Sequence, residues 1–362
     1  MERKKVVVGM SGGVDSSVAA WLLKEKGYEV IGVTMQIWQD GADAFTDNGS
    51  CCGLSAVDDA RRVAQALDIP HYVMNFKADF KKSVIDYFVA EYLAGRTPNP
   101  CIACNRYVKW EALLKRSLAI GADYIATGHY AGIKRMENGR LAVCKSRRPE
   151  KDQSYALYNL TQEQLGRTLL PDGEYSKDEI RAFASKLGLR VAKKPDSQEI
   201  CFVPDGDYAR FIENETGKKQ EEGNFVTADG KVLGRHKGII HYTVGQRRGL
   251  GLAMGRRVAV TEIRPQTNEV VIGETEDVFA GELVADRINY MAVPRFEDAR
   301  PASAKIRYNH GGAPCRIYNE GLDRIRVVFE KPVRAISPGQ AVVLYDEDTV
   351  LGGGTILRKD EI

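Results

Sequence analysis

The sequence of 362 residues contains no long apolar run, no low-complexity tract and no internal repeat. No segment approaches the roughly 18 consecutive apolar residues that a membrane-spanning helix requires. The apolar part of the N-terminus, residues 6–8, is too short for a secretory signal peptide. Hydrophobic residues make up 43% and charged residues 28%, which excludes a disordered, collagen-like or coiled-coil chain. We therefore expect a globular, cytoplasmic protein without a membrane partner.

An excess of charge of one sign is also lacking, since 52 Lys and Arg residues face 49 Asp and Glu residues and give a formal net charge of +3. Whole-chain charge therefore identifies no partner. Residues 235–260 differ, because they hold six basic side chains, at positions 235, 237, 247, 248, 256 and 257, and no acid. Such a stretch indicates either a phosphate-contacting surface or simply a solvated loop.

Strand and helix patterns alternate along the first part of the chain. A buried strand is expected at residues 4–10, a helix at 16–26, and further strands at 29–37, 71–76 and 124–127. This alternation predicts a doubly wound parallel α/β domain over residues 1–205. A short helix and Gly-rich basic segments predict a small central domain over 206–278, and regular short β runs predict a C-terminal β-barrel-like domain over 279–362.

The strongest local signal is Ser-Gly-Gly-Val-Asp-Ser-Ser at residues 11–17, between the first expected strand and helix. Two glycines allow the backbone to approach an anion closely, and the following helix N-terminus presents N–H groups to it. No lysine follows the second glycine, so the segment is not the P-loop of kinases and GTPases. We interpret residues 11–17 as a phosphate-binding loop.

Cysteine is sparse and odd in number, with seven residues in the chain. In a reducing compartment this argues against a disulfide scaffold and favours thiol chemistry or metal binding. Cys101 and Cys104 form a C-x-x-C pair before a helix expected to begin near Asn105. Cys104 would then lie at a helix N-terminus, where the dipole favours a thiolate. The alternatives are a buried structural cysteine or half of a zinc site.

Residues 11–17 resemble the signature of the PP-loop ATP pyrophosphatases, which implies binding of ATP with Mg²⁺ and places Asp15 on the metal or phosphate side. Six blocks in order resemble the tRNA-specific 2-thiouridylases: residues 9–17, 97–105, 126–130, 151–155, 200–202 and 242–251. The resemblance extends over nearly the whole chain. It implies an ATP-dependent enzyme that thiolates the wobble uridine of tRNA.

The resemblance also implies a mechanism and its partners. ATP adenylates the C2 oxygen of the uridine, and Cys201 receives sulfur as a persulfide from a donor protein, either a cysteine desulfurase or a sulfur relay. Cys104 assists the transfer and ends in a Cys104–Cys201 disulfide, with release of AMP and pyrophosphate. Thiol–disulfide exchange of this kind requires one attacking thiolate and one accessible partner sulfur.

Site residues carry over by motif. The resemblance implies that ATP contacts Gly9, Met10, Ser11, Gly12, Gly13, Val14, Asp15, Ser16, Met35 and Gly128. It implies that the target base and the tRNA contact Asn99, Pro100, Cys101, His129, Lys151, Asp152, Gln153, Arg307, Tyr308 and Gln340. On sequence alone Met35 is equally typical of a core residue, His129 of a structural histidine, and Gln340 of a turn.

Three alternatives stay open at this point. Cys101 replaces an Asp of some relatives, so Cys101, Cys104 and Cys201 are candidate ligands of a [4Fe–4S] cluster that would supply the sulfur. A PP-loop amidotransferase or lysidine-type ligase would share the nucleotide loop without needing the cysteines. An RNA-binding or sulfur-relay protein would have a vestigial nucleotide site. Cys51, Cys52, Cys144 and Cys315 match no role and are interpreted as structural or surface thiols.

Overall fold

The computed structural model describes residues 3–37, 54–194 and 200–362. Its residues divide into two compact units. The first unit comprises the described residues of Met1–Ile85, Cys101–Gly206 and Asp348–Val350. The second unit comprises Asp86–Pro100, Asp207–Glu347 and Leu351–Ile362. No helix in these described ranges is both long enough and apolar enough to cross a membrane.

A five-stranded parallel sheet forms the centre of the first unit, and β5 and β6 form an antiparallel hairpin that is not part of this sheet, with Cys144 of β6 paired with Thr349. The strands are β1 (Lys5–Gly9), β2 (Glu29–Gln36), β3 (His71–Asn75), β4 (Tyr124–Ala126), β5 (Ala131–Arg135), β6 (Leu141–Lys145) and β7 (Thr168–Leu169). The order in the parallel sheet is β3-β2-β1-β4-β7. Val6, Val7 and Val8 of β1 are fully buried, as expected for a central strand covered on both faces. The predicted doubly wound sheet is confirmed.

Helices connect these strands, and two of them contain π-helical segments. They are α1 (Val14–Glu25), α2 (Leu54–Ala66), α3 (Lys77–Phe80) continued through a π-helical Lys81–Ile85 into α4 (Asp86–Leu93), α5 (Pro100–Ala103) continued through a π-helical Cys104–Leu113 into α6 (Leu114–Ala119), α7 (Gln162–Gly166) and α8 (Lys177–Lys186). Single 3₁₀ turns lie at Pro149–Lys151, Ser154–Leu157, Pro171–Glu174 and Arg190–Lys193.

The helix that carries the C-x-x-C pair starts earlier than the sequence analysis expected. It begins at Pro100, not near Asn105. Proline suits the first helical position, because its fixed φ is helical and its missing N–H would have no intrahelical partner there. Cys104 therefore lies beyond the first helical turn. The dipole argument for its thiolate loses force, since the dipole's effect fades within that turn.

The second unit contains a mixed four-stranded sheet that the sequence analysis did not expect. After α9 (Tyr208–Thr216) come β8 (Gly223–Val226), β9 (Val232–His236), β10 (Val258–Arg264) and β11 (Glu269–Glu274). Their order is β10-β11-β8-β9, with β11 and β8 parallel. Glycine and charged residues in these strands hide the usual alternation of apolar and polar positions. The one element predicted for this region, a short helix, is confirmed by α9.

Six antiparallel strands close into a barrel in the C-terminal part. They are β12 (Phe279–Tyr290), β13 (Arg300–Lys305), β14 (Ala313–Asn319), β15 (Arg324–Arg334), β16 (Ala341–Asp346) and β17 (Thr349–Ile356). The order is β12-β15-β14-β13-β16-β17, and β12 pairs with β17 to complete the ring. Closure removes unpaired sheet edges. The predicted C-terminal barrel is confirmed.

Candidate nucleotide and thiol site

The loop that follows β1 is tied to the neighbouring strand. The amide of Met10 donates to the carbonyl of Val33 at 2.8 Å, and the hydroxyl of Thr34 donates to the carbonyl of Met10 at 2.9 Å. Met10 itself is buried, whereas Met35, at the end of β2, is partly exposed. The loop thus leaves the carboxyl edge of the sheet beside β4, where the strand order reverses. Ligands of open α/β sheets bind at such a point.

At two positions the backbone lies so close to neighbouring backbone atoms that only glycine, which has no Cβ, can fit. Gly12 has φ +66°, and a Cβ there would overlap the carbonyl oxygen of Ala56. A Cβ on Gly128, which follows β4, would lie 2.6 Å from the carbonyl carbon of Asp15 and 2.7 Å from the amide nitrogen of Ser16. Gly12 therefore packs against the backbone of α2, and Gly128 packs against the backbone at the start of α1, so no larger residue fits at either position.

The N-terminus of α1 presents main-chain donors. Gly13 is the N-cap residue, and it has no side chain that could accept a hydrogen bond from the first N–H groups of the helix. The hydroxyl of Ser17 instead donates to the carbonyl of Gly13 at 2.7 Å, and the hydroxyl of Ser16 accepts from the amide of Ser11 at 3.2 Å. Uncapped N–H groups and the helix dipole together form an anion-binding site. The geometry of residues 11–17 thus suits a phosphate group.

Asp15, in the first turn of α1, is held by two side chains that the sequence analysis gave no role. The ammonium of Lys177 lies 2.7 and 2.9 Å from its two carboxylate oxygens, and the phenol of Tyr130 donates to it at 2.6 Å. The side chain of Lys177 is 11% exposed and that of Asp15 is 31% exposed. The carboxylate therefore keeps one open side while its position is fixed.

A second carboxyl lies close to this pair. Asp172, in the 3₁₀ turn before α8, is fully buried, and neither of its carboxyl oxygens has a hydrogen-bond partner among the described residues. Burial, together with the charge of Asp15, raises the pKa of Asp172 well above its usual value, while Lys177 acts in the opposite direction. Burial thus favours the protonated form of Asp172 over the carboxylate.

A second lysine reaches the loop from the segment before Cys201. The ammonium of Lys194 donates to the carbonyl of Gly12 at 3.2 Å and pairs with Asp59 at 2.9 Å. Lysines 177 and 194 thus bring to the loop the positive charge that the loop itself lacks. Sequence reasoning missed both, because each follows the loop by more than 160 residues and no spacing rule connects them to it.

The three thiols of interest differ in exposure. Cys101 is exposed, whereas Cys104 and Cys201 are partly buried. The ring of Phe202, next to Cys201, is buried and packs edge-on against Phe80 at 5.7 Å. Within the part of the chain that the structure describes, no three His, Cys, Asp or Glu side chains come together as metal ligands. The described residues therefore give no support to the cluster site that the three cysteines suggested.

Two other cysteines have the properties of inert thiols. Burial raises the pKa of Cys144, and burial raises the pKa of Cys315 to about 12. The thiol of Cys315 donates to the carbonyl of Ala302 at 3.4 Å. Thiols with raised pKa values are poor nucleophiles near neutral pH. Cys51 and Cys52 lie outside the described residues.

The structure brings several predicted tRNA contacts of the first unit together. The side-chain oxygen of Gln153 accepts from the main-chain amide of Tyr130 at 2.9 Å. The main-chain amide of Gln153 donates to the carbonyl of Tyr130, also at 2.9 Å. Asp152 accepts from Ser146 and Ser154, so it closes the turn that carries Lys151. This places the 151–153 turn beside the residue that follows His129.

His129 is a neutral side chain in this setting. Its Nδ1 lies 2.7 Å from the hydroxyl of Thr127, and its ring packs against Trp110 at 5.6 Å. Burial and the nearby ammonium of Lys109 lower the pKa of His129 well below its usual value. The imidazole therefore offers a neutral hydrogen-bonding group and not a cation.

The remaining predicted contacts belong to the second unit. Tyr308 is 41% exposed, with the ammonium of Lys305 over its ring at 6.0 Å. Arg307 donates to the carbonyl of Arg334 at 2.9 Å. Gln340 donates to the carbonyls of Thr97 and Pro98, which immediately precede Asn99 and Pro100. The structure thus joins Gln340 to the predicted target-base segment.

The basic stretch forms a cavity of about 720 Å³ in the second unit. Its polar lining comes from four exposed arginines, Arg247, Arg248, Arg256 and Arg257. Arg256 forms an ion pair with Glu274. A concave surface with this concentration of guanidinium groups is suited to phosphate groups, because one guanidinium group can donate to two oxygens of the same phosphate.

Comparison with known families gives matches along nearly the whole chain. A model described as tRNA methyl transferase HUP domain matches residues 4–205. A tRNA methyl transferase PRC-barrel domain matches residues 209–274, and an aminomethyltransferase beta-barrel domain matches residues 280–356.

Curated relatives are similar over their full length. A tRNA-specific 2-thiouridylase of Lachnoclostridium phytofermentans is 67% identical over 356 residues, covering 98% of this chain and 100% of the relative. Enzymes of the same name from Clostridium perfringens and Clostridioides difficile are 57% and 54% identical, each over 98% of this chain and over 99% and 98% of their own lengths. Among solved structures, an NMN synthetase of Francisella tularensis aligns at 16% identity with a TM-score of 0.34, over 60% of this chain and 79% of that one.

Proposed function

The chain belongs to the tRNA-specific 2-thiouridylases, and we propose that it replaces the C2 oxygen of a tRNA wobble uridine with sulfur while cleaving ATP to AMP and pyrophosphate. The identity of the relatives supports the reaction. The observation that carries the nucleotide part is the uncapped N-terminus of α1, which follows a loop in which the Gly12 position admits nothing larger than glycine.

ATP is the co-substrate that the loop would hold. The main chain of residues 9–16 would contact the phosphates, and Met35 and Gly128 would line the nucleotide pocket. The open side of the Asp15 carboxylate suits a Mg²⁺ ion, which prefers oxygen ligands. Lys177 and Lys194 would neutralise the pyrophosphate that leaves. Positive side chains placed next to the departing pyrophosphate stabilise its developing negative charge, and such stabilisation is a main cause of rate enhancement in phosphoryl-transfer reactions.

Adenylation is the first chemical step that we propose. The uridine C2 oxygen attacks the α-phosphate, a new oxygen–phosphorus bond forms, and pyrophosphate leaves with the electron pair of the broken bond. The C2 carbon then carries AMP as its leaving group. ATP supplies this activation, since a carbonyl oxygen is otherwise too poor a leaving group to be displaced.

Sulfur transfer follows from a persulfide on Cys201. Its terminal sulfur attacks C2, and AMP leaves. The thiolate of Cys104 then attacks the Sγ of Cys201, which forms a Cys104–Cys201 disulfide and releases the terminal sulfur onto C2 as the thiocarbonyl. The disulfide takes up two electrons from a thiol reductant before the next turnover. A sulfur-donor protein, either a cysteine desulfurase or a sulfur relay, reloads Cys201.

Binding of tRNA would use several surfaces. The arginine cavity at 247–257 would hold the tRNA backbone. The turn of Lys151, Asp152 and Gln153 would also contact the tRNA, as would Arg307, Tyr308 and Gln340. Asn99, Pro100, Cys101 and His129 would face the target base. A base inside a duplex or a stacked loop must leave its stack to reach a pocket of this kind. We also propose a cytoplasmic location and domain limits at 205/206 and 278/279.

The experiment that tests the nucleotide part is release of labelled AMP from ATP with and without unmodified tRNA. We expect tRNA-dependent release that falls about 10²-fold or more in Asp15→Asn, because loss of a charged group at a phosphate site has this size of effect. Asp68→Asn is the matched control, since the Asp68 side chain is fully exposed. AMP release at the wild-type rate in Asp15→Asn would show that the Asp15 carboxylate does not act at the nucleotide site.

A further inference from the structure

Tyr130 connects the carboxylate of the nucleotide loop to the turn that we assign to tRNA. Its phenol donates to Asp15 at 2.6 Å, and its main chain is bound by Gln153. We propose that Tyr130 is a positioning residue through which tRNA bound at residues 151–153 orients the Asp15 carboxylate, so that tRNA and ATP strengthen each other's binding. This inference rests on the proposed function, because that function places ATP and tRNA at these two sites.

The orientation of the Asp15 carboxylate depends on its contacts. The last torsion of an aspartate side chain is broad and has no strongly preferred value of its own. Oδ1 of Asp15 accepts from the phenol of Tyr130 at 2.6 Å and from the ammonium of Lys177 at 2.7 Å, and Oδ2 accepts from that ammonium at 2.9 Å. The phenol thus distinguishes the two oxygens and fixes the rotation of the group. This rotation matters for Mg²⁺, which requires nearly ideal octahedral geometry.

Tyr130 is itself held at both of its main-chain polar groups by one residue. The side-chain oxygen of Gln153 accepts from the Tyr130 amide at 2.9 Å. The main-chain amide of Gln153 donates to the Tyr130 carbonyl, also at 2.9 Å. The side chain of Tyr130 is buried, so its ring has little room to move independently of this backbone. A shift of the 151–153 turn is therefore passed to the phenol and from there to Asp15.

The carboxamide of Gln153 can contact Tyr130 and tRNA at once. Its oxygen is an acceptor and its nitrogen is a separate donor, on one rigid planar group. The oxygen is the atom that faces Tyr130, because a main-chain N–H requires an acceptor. The nitrogen is the atom that suits a phosphate oxygen or a base acceptor. A tRNA contact to the nitrogen thus acts on the same group that holds Tyr130.

The turn also supports the segment that leads to Lys177. The hydroxyl of Ser146 donates to the carbonyl of Gly173 at 3.3 Å, and the amide of Ser146 donates to Asp152 at 3.1 Å. Gly173 precedes Lys177 in the chain by one helical turn. Both groups that hold the carboxylate therefore come from backbone that rests on this turn. Tyr130 has the shorter connection, since Gln153 binds it directly.

A connection of this kind has a measurable consequence. If one ligand raises the affinity for another, the second raises the affinity for the first by the same factor, typically about 5- to 150-fold. We therefore expect saturating tRNA to tighten the binding of an ATP analogue at least about fivefold. Loss of the phenol hydroxyl should remove this tightening. It should change binding to the tRNA-free enzyme little, because Lys177 still holds both oxygens of Asp15.

The test uses the full-length enzyme and Tyr130→Phe, which removes only the hydroxyl. Calorimetric titration with α,β-methylene-ATP and Mg²⁺, whose α–β bridge cannot be cleaved, is carried out with and without unmodified tRNA. In Tyr130→Phe the tightening by tRNA should fall below about twofold, with the tRNA-free affinity within about threefold of wild type. Tyr124→Phe is the matched control, because it removes a hydroxyl at the first residue of β4, where the contact is to Lys4.

Gln153→Met tests the other end of the connection. It should also lose the tightening, at a tRNA concentration raised to saturate the variant, and the double variant should lose no more than either single change. The proposal is overturned if wild type shows no tightening, if Gln153→Met retains it, or if Tyr130→Phe retains it within a factor of two. The last case includes a variant that binds the analogue more weakly with and without tRNA alike. Thionucleoside formation by wild type is measured separately. If none forms while the coupling behaves as expected, the proposed reaction is wrong and the positioning role of Tyr130 stands.

Discussion

Lys177 and Asp15 form a pair across 162 residues of sequence, with the ammonium 2.7 and 2.9 Å from the two carboxylate oxygens. Asp15 belongs to the nucleotide loop, and Lys177 is the first residue of α8. A P-loop carries its lysine within the loop itself. In this protein the equivalent positive charge comes from Lys177, on a helix that is distant in the sequence. Its ammonium group is bound to the carboxylate of Asp15, which we assign to the metal or phosphate side of the nucleotide.

Replacing Lys177 tests whether this charge acts on the nucleotide. Lys177→Met should lower tRNA-dependent AMP release about 10²- to 10³-fold, the usual effect of removing a donor from developing negative charge. Lys177→Arg should recover part of the loss. The measurement is release of labelled AMP at saturating ATP. Lys186→Met, at the exposed end of the same helix, serves as the control, and equal activity of the two Met variants would dismiss the role of Lys177.

Gly128 tests the packing of the two switch-point loops. In Gly128→Ala the new methyl group would lie 2.6 Å from the carbonyl carbon of Asp15, so the N-terminus of α1 must move. We expect ATP binding to weaken at least tenfold and the free energy of unfolding to fall by about 1–3 kcal/mol, as in other overpacked sites. Gly281→Ala meets no atom within 4 Å and should change neither quantity. Calorimetric titration and denaturant unfolding measure both.

Asp172 gives a pH-dependent prediction. Because burial raises the pKa of Asp172 in the folded protein, the folded state binds more protons than the unfolded state above about pH 4. Its contribution to stability therefore declines as the pH rises toward the folded-state pKa. Asp172→Asn removes this decline and should gain stability over wild type by up to about 1.4 kcal/mol per pH unit within that window. Denaturant unfolding between pH 4 and 8 measures it, and parallel curves for the two proteins would contradict the prediction.

The arginine cavity gives a salt-dependent prediction. If Arg247 and Arg257 each contact a phosphate, the slope of log K for tRNA against log salt should fall by about 0.7–0.9 for each Arg→Ala change. The turnover number at saturating tRNA should stay unchanged. Lys231→Ala, an exposed change outside the basic stretch, should not alter the slope. Filter binding at four salt concentrations distinguishes these outcomes, and an unchanged slope in the double variant would exclude the cavity as a tRNA contact.

The sequence predicts those features that depend on local pattern. The buried Val6–Val8 strand, the glycine loop and α1 follow from periodicity and turn chemistry, and the structure has all of them. The helix start at Pro100 was misplaced, because the proline was interpreted as part of a rigid loop and not as the first helical residue. Lys177, Lys194 and Asp172 could not be found from the sequence, since long-range folding alone brings them to the loop. The same is true of Gln340, which reads as an ordinary turn residue until its two carbonyl partners are known.

The central claim is sulfur transfer to tRNA through Cys201 and Cys104. It is tested most directly by mass spectrometry of nucleosides from unmodified tRNA incubated with the enzyme, ATP, Mg²⁺ and a sulfur donor. We predict an oxygen-to-sulfur exchange at the wobble uridine that disappears in Cys104→Ser and Cys201→Ser. The exchange should persist in Cys315→Ala, whose thiol is buried and has a raised pKa. Full activity of Cys201→Ser, or no thionucleoside from folded wild-type enzyme with an active donor, would contradict this account.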